Sequence, residues 1–160
     1  MQYPSTPLRR RNVFRAECGQ RVGTVFALTQ VMPPIACDVI VVDDDPDFAD
    51  SLVELLEEEK YRAMSFATPE GAFEWMLEGN RTSVVVLDLH TTGISAQRFR
   101  ALMLSASQLQ DIPIVMVSGD PQVGVVAHSV GAVGAFQKPI DVERLINRLH
   151  EFRAPSSGAV

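Results

Sequence analysis

Four short stretches place reactive side chains directly after runs of apolar residues. In VIVVDDDPDF, Val39 to Phe48, three aspartates (Asp43, Asp44 and Asp45) follow four apolar residues. VVVLDLH delivers Asp88, IVMVSGD delivers Ser118, and GAFQKPI carries Lys138 and Pro139. Carboxylates gathered at one place raise each other's pKa or destabilise the fold unless a cation neutralises them. Mg2+ is the natural cation, a hard ion that takes oxygen ligands, commonly one or two carboxylates plus water and phosphate oxygens. A Mg2+ site with a spare carboxylate, a hydroxyl and an ammonium group suits phosphoryl transfer. Asp88 would be the nucleophile, Ser118 would hydrogen-bond a phosphoryl oxygen, and Lys138 with the metal would offset charge on the equatorial oxygens. Catalysis of that kind is mostly positioning and electrostatics. Each residue alone has a plainer use: aspartates after a strand cap the orphan amides of the next helix and favour its dipole. Asp45 and Asp47 fit that use.

The elements that must position these groups follow from two alternating periods. Apolar runs of strand length occur at 39–42, 84–87 and 114–117, with weaker candidates at 62–67 and 134–136. Helical stripes lie between them: Phe48, Leu52, Leu55 and Leu56; Phe73, Met76 and Leu77; Phe99, Leu102, Met103 and Ala106; Val123, Val126, Ala127 and Val130; Val142, Leu145, Ile146 and Leu149. Continuous apolar strands are what a parallel sheet covered on both faces requires. The pattern predicts an α/β fold, a (βα)5 doubly wound five-stranded parallel sheet. In such sheets ligands sit beyond the carboxyl ends of the strands at the topological switch point, which is where the four reactive stretches fall.

A chain of 160 residues with 46% hydrophobic and 21% charged residues suits one globular domain, and its apolar runs are too short to span a membrane. The net charge of −6 is uneven: residues 1–31 hold five arginines against Glu17, a balance of +4, which leaves −10 on the rest. An acidic body without a second domain argues against nucleic acid as a partner. Cys18 and Cys37 form no metal-type pair, and reduced thiols of a cytoplasmic protein are expected. Residues 1–36 read as a poorly ordered N-terminal extension, with Met32 an alternative start, residues 37–153 as the domain, and 154–160 as a frayed tail. The basic start, short apolar region and Cys37 are only superficially similar to a lipoprotein signal, being broken by Thr29, Gln30 and Pro33-Pro34. His128 and His150 read as surface residues of predicted helices, and Trp75 and Met76 as packing.

VIVVDDDPDFADSL, VVVLDLHTTG, IVMVSGD and GAVGAFQKPID resemble, in order and spacing, the signature stretches of the receiver domain of bacterial two-component response regulators. The resemblance covers about Cys37 to Phe152. It implies a flavodoxin-like sheet of strand order 2-1-3-4-5, and Asp43 and Asp44 as the acidic pair that holds Mg2+. It further implies Asp88 as phosphoacceptor and metal ligand, and His90 as donor of a backbone carbonyl to the metal. Ser118 matches the hydroxyl residue that bonds the phosphoryl group and shifts on activation. Lys138 matches the family lysine, and Pro139 its partner across what is usually a cis bond. Asp45 is left as a helix-start residue. Two departures stand out. Thr91-Thr92-Gly93 replaces the common Met-Pro-Gly, and Ala135 stands where the family has a switching Tyr or Phe, with Phe136 beside it, so that either the aromatic switch is absent or Phe136 serves in a shifted register. Asp120 is placed to orient a water and so to influence loss of the acyl phosphate.

The implied function is a phosphorylation-dependent signalling switch without an output domain. It would receive phosphate from a sensor histidine kinase or histidine phosphotransfer protein and present the face of the fourth helix, fifth strand and fifth helix to a downstream protein or, as a homodimer, to itself. The expected protein is a signalling protein rather than an enzyme. One alternative is a degenerate receiver serving as a phosphate-independent interaction module. A third reading is a haloacid-dehalogenase-like phosphatase, to whose D-x-D-x-T stretch DLHTTG is similar; that chemistry needs a carboxylate where this chain has His90.

Overall fold

A computed structural model describes residues Met32 to Arg153. The readings made on residues 1–31, Cys18 among them, and on the tail 154–160 lie outside the described residues. Five strands alternate with five helices: β1 Val39–Val42, α1 Pro46–Glu58, β2 Ala63–Phe66, α2 Pro69–Leu77, β3 Val84–Asp88, α3 Ala96–Ser105, β4 Ile114–Ser118, α4 Val123–Ser129, β5 Gly134–Gln137 and α5 Val142–His150. All pairings are parallel and the order is β2-β1-β3-β4-β5, the doubly wound sheet that the two periods predict.

The strands β1, β3 and β4 read as unbroken apolar runs because both faces are covered. Val39, Val41, Val84, Val86, Val115 and Val117 pack with Leu52 and Leu56 of α1 and Leu145 and Leu149 of α5. Their alternate neighbours Ile40, Val42, Val85, Leu87, Ile114 and Met116 pack with Met76 of α2, Phe99 and Met103 of α3, and Ala127 of α4. The edge strands β2 and β5 are only partly buried. Each helix start has a local cause. Asp45, Thr68, Ser95 and Asp141 accept backbone N–H bonds at the starts of α1, α2, α3 and α5, and Pro46 and Pro69 open α1 and α2.

The predicted stripes hold except at helix ends. Val142, in the first turn of α5, is 36% exposed, and Leu77, in the last turn of α2, is 45% exposed. The ends of a helix overhang the short strands beneath it, so a stripe read from spacing runs one turn too long. Leu109, which belongs to no predicted stripe, is buried in the turn after α3, where its N–H reaches the Ala106 carbonyl at 2.8 Å. At the opposite edge of the sheet Asp38 ties β1 to β2. Its carboxylate accepts the Arg62 backbone N–H at 2.8 Å and the Arg62 guanidinium at 3.1 and 3.3 Å. Ile35 and Ala36 are also docked, through Arg81 N–H on the Ile35 carbonyl at 2.9 Å and a bridge of Ala36 with Arg81.

Phe99 is wholly buried and Leu104, on the same helix, is 53% exposed. In urea unfolding Phe99→Ala is expected to cost about 3–5 kcal/mol and Leu104→Ala under about 0.5 kcal/mol. Burial opposes the charge on Asp38, but the hydrogen bonds and charge of Arg62 more than offset it, so its carboxyl lies below the ordinary 3.8. A carboxyl depressed in the folded state adds stability above its unfolded pKa and loses it as pH falls through the folded one. Wild-type stability should therefore decline as pH falls below the ordinary carboxyl value of 3.8, and less so in Asp38→Asn.

Candidate functional site

Four of the five strands deliver their last residues to one place. Val42 pairs with Leu87, so Asp43 emerges beside Asp88, which pairs with Val117. Ser118 pairs with Gln137, so Lys138 follows one residue further on, its N–H donating to the Ser118 carbonyl at 2.9 Å. From β1 the chain crosses to β2 on one side, and β3 lies on the other, which makes this edge the switch point of the sheet. The result is an open cleft of about 390 Å³ lined by Asp43, Asp44, Asp45, Asp88, His90, Ser118, Asp120 and Lys138.

Lys138 organises the charge. Its Nζ lies 2.7 Å from Asp43 Oδ2 and 3.5 Å from Asp88 Oδ1. Asp43, Asp88 and Ser118 are buried, whereas Asp44 is exposed at the rim. The free carboxylate oxygens are held in turn by backbone: Asp45 N–H donates to Asp43 Oδ1 at 2.9 Å and His90 N–H to Asp88 Oδ2 at 2.9 Å. Burial pushes the Asp43 carboxyl up, against the hydrogen bonds from Lys138 and the Asp45 amide, and the nearby Asp88 charge adds to the push. Burial also opposes the Lys138 charge, but its hydrogen bond to Asp43 and the charges of Asp88 and Asp43 outweigh it and hold the ammonium above its ordinary value. A cation so firmly protonated keeps Asp43 paired despite its burial.

One oxygen from each of Asp43, Asp44 and Asp88 lies within 4.8 Å of the other two. Three carboxylates facing one ammonium leave uncompensated negative charge, and an all-oxygen donor set of this kind suits Mg2+. Asp45 stands outside that cluster, because its carboxylate is engaged by the amides of Asp47 and Phe48 at the start of α1. Pro139 follows Lys138 through a cis peptide bond.

The remaining residues divide between the cleft and the edge of the sheet. Asp120 N–H donates to Ser118 Oγ at 3.3 Å, and Asp120 Oδ2 meets His90 Nε2 at 2.8 Å across the cleft mouth. The Gln122 amide first, and His90 second, hold the Asp120 carboxyl below its ordinary value. Ala135 and Phe136 are separated by the pleat: Phe136 packs with the α1/α5 core, while Ala135 is exposed on β5. His150 Nδ1 lies 2.9 Å from Tyr61 Oη, and Trp75 packs on Phe66 with ring centroids 5.8 Å apart, so both are occupied structurally. His128 is exposed. Cys37 is buried, and burial pushes its thiol up, the state of an unreactive cysteine.

Three participants were invisible in the sequence. The Lys138 ammonium lies over the Phe48 ring, 3.8 Å from its centroid, although Phe48 reads as one more apolar residue of α1. Thr92 Oγ1 donates to Asp44 Oδ2 at 3.4 Å, and Glu70 accepts the Ile94 N–H at 2.7 Å. No spacing in the sequence announces these contacts, since Phe48 meets Lys138, Thr92 meets Asp44 and Glu70 meets Ile94 across long separations in the chain.

The family model of the response regulator receiver domain matches residues 39–150, and the chain belongs to that family. Over 103 residues it is 32% identical to protein Rrf1 of Nitratidesulfovibrio vulgaris, a match covering 64% of this chain and 72% of Rrf1. Over 114 residues it is 28% identical to the nitrogen assimilation regulatory protein NtrX of Azorhizobium caulinodans, covering 70% of this chain and 25% of NtrX. The chain thus spans about a quarter of the length of that larger regulator. Among solved structures, chemotaxis protein CheY4 of Vibrio cholerae superposes with a TM-score of 0.62 at 23% identity, over 75% of this chain and 99% of that one. Response regulator protein TrrA of Thermotoga maritima, solved in complex with Mg(2+)-BeF, gives 0.63 at 21% identity, over 74% and 98%. At that identity the likeness shows the fold. Among the described residues no helix is long and apolar enough to cross a membrane.

The crowded carboxylates generate a prediction that needs no phosphate donor. In EDTA, Asp88→Asn should unfold about 2–4 °C above wild type, the shift expected for about 1 kcal/mol of relieved repulsion. Saturating Mg2+ should raise the wild-type midpoint by mass action and raise that of Asp88→Asn less, as read by calorimetry.

Proposed function

We propose that this receiver domain accepts a phosphoryl group on Asp88 from a phosphohistidine of a sensor histidine kinase or histidine phosphotransfer protein. The observation that carries the reading is the convergence of Asp43, Asp44 and Asp88 within 4.8 Å, with Lys138 bridging the two buried ones. In the transfer an Asp88 carboxylate oxygen forms a bond to phosphorus, the P–N bond to the donor imidazole breaks, and its electron pair leaves with that nitrogen. Asp88 Oδ2 is already turned by the His90 N–H, which leaves Oδ1 on the Lys138 side for attack. Lys138 then exchanges part of its contact with Asp88 for a phosphoryl oxygen, and the Ser118 hydroxyl donates to a second. Asp43, Asp44 and Asp88, with the His90 carbonyl, would hold a Mg2+ ion, which would supply the positive charge that one lysine cannot.

The signal would be read on the face of α4, β5 and α5, where Val125, Ala135 and Val142 are exposed, by a downstream protein or by a second copy of the chain. The charge of the body, −10 outside residues 1–31, favours a protein partner over nucleic acid. With Ala135 carrying only a methyl group and Phe136 on the opposite face, no aromatic side chain of β5 swings between the cleft and that surface.

Intact-protein mass after incubation with acetyl phosphate and Mg2+ tests the reading. Wild type should gain one phosphoryl group, Asp88→Asn none, and EDTA should abolish the gain. An unmodified wild type, under conditions that modify another receiver, would move the weight to a phosphate-independent interaction module.

A further inference from the structure

The loop between β3 and α3, residues 89–95, is tied down at several points, among them His90 Nε2 on Asp120 Oδ2 at 2.8 Å across the cleft mouth. His90 N–H also donates to Asp88, Thr92 Oγ1 to Asp44, and Ile94 N–H to Glu70 Oε1 at 2.7 Å. The ties to Asp88 and Asp44 are inside the cleft; that to Glu70 comes from another element, the first turn of α2. The other oxygen of that carboxylate, Glu70 Oε2, is buried and has no hydrogen-bond partner. A buried carboxylate oxygen without a donor costs stability, and it stays only where the surrounding geometry forces it to. Gly93 supplies that geometry. Its φ of +109° suits glycine, and a Cβ built on it would run into the Glu70 carboxylate.

We infer that Glu70 is a positioning residue of the phosphorylation site, a latch from α2 that closes the β3–α3 loop so that Asp44 and the His90 backbone stand ready for Mg2+. The inference rests on the reading of the site as a Mg2+-dependent phosphoacceptor. The loop has no proline of its own, its sequence being Thr91-Thr92-Gly93, so its conformation depends on contacts made to it. A single residue, Gly93, separates the Glu70 contact at Ile94 from Thr92, and Thr92 in turn bonds the one acid of the cluster that is exposed. Without the latch, Ile94 N–H loses its acceptor and Gly93 loses the wall against which it packs. Thr92 is then free to leave Asp44, and Asp44 to turn into solvent. Asp43, Asp88 and Lys138 are held by β1, β3 and β5 and by each other, so they keep their places.

The latch therefore acts on metal affinity and leaves the nucleophile untouched. Titration of Mg2+ alone by calorimetry, in the full chain, is expected to give a Kd about tenfold weaker in Glu70→Ala than in wild type, the scale typical of groups that orient metal ligands. At saturating Mg2+ the rate of phosphorylation by acetyl phosphate should return to the wild-type value. Glu70→Gln keeps an acceptor for Ile94 and should restore most of the affinity. Gly93→Ala displaces the carboxylate from the other side and should weaken Mg2+ like Glu70→Ala. Amide hydrogen exchange at Ile94 should be faster in Glu70→Ala and Gly93→Ala, and near wild type in Glu70→Gln. Wild-type Mg2+ affinity in Glu70→Ala, together with faster exchange at Ile94, would overturn the positioning role. A wild-type protein that takes up no Mg2+ would instead overturn the reading of the site itself, and this inference with it.

Discussion

Two buried carboxylates share one ammonium group, and the rest of the structure is arranged around that contact. Asp43 and Asp88 stand at the ends of adjacent strands, Lys138 follows a strand two places from that of Asp88 and three from that of Asp43, and the lysine must span the gap from an edge strand whose own burial is weak. Its placement is over-determined. The backbone N–H is bonded to Ser118, the ammonium to Asp43, and the ammonium also lies over Phe48 of α1. A slip of one residue in the pairing of β4 with β5 would turn Lys138 to the other side and strand both acids in a low-dielectric edge. Register, lysine and acids are thus one constraint, and α1 contributes to it through an aromatic ring as well as through packing.

The sheet makes that constraint affordable. Strands with both faces buried have no freedom to roll, so the residue after each strand is placed to within the tolerance of a packed core. Val39–Val42, Val84–Leu87 and Ile114–Val117 are almost completely enclosed, and the polar groups they deliver are the ones that most need accurate placement. The opposite edge, where Asp38, Arg62, Arg81 and Ser83 exchange backbone and side-chain bonds, closes the N-terminal ends of the same strands. Chemistry gathers at one edge and fastening at the other, as a doubly wound sheet allows.

Much of this was legible in the sequence because it depends on period and position. Unbroken apolar runs identified β1, β3 and β4, and stripes at helical spacing identified the helices. The acids, serine and lysine followed because they come directly after those runs. The overlong stripes at Val142 and Leu77 show the limit of periodicity, which sees a face and not where the neighbouring strand ends. Leu109 was missed because it lies in a turn, where no period exists. Phe48, Thr92 and Glu70 were missed for a different reason: each acts through a contact with a residue distant in sequence, and one side chain on a loop or in a first turn carries no pattern. Asp45 was set apart because the resemblance assigns the acidic pair to Asp43 and Asp44 and leaves it to start a helix, where its carboxylate is in fact engaged by the amides of Asp47 and Phe48.

The face of the sheet on which a residue stands also limits how a change at the cleft can travel. Along a strand successive side chains point to opposite faces, so Phe136, two positions before Lys138, stands on the face opposite Ala135, three positions before it. Phe136 belongs to the core under α1 and α5, with its ring also close to Gly134. What does leave the cleft is backbone. Asp120 N–H bonds Ser118 Oγ, Asp120 Oδ1 accepts the Gln122 N–H, and the Asp120 carbonyl accepts the Val123 N–H at 3.1 Å, at the first residue of α4. A Ser118 hydroxyl drawn away from Asp120 would release the turn that starts α4, a helix of seven residues whose first turn has no side-chain cap. Such a helix has little of its own to hold it, since short helices depend on their packing and their ends. Among the described helices α4 alone starts without a side-chain cap, and its first residue is bonded through Asp120 to Ser118.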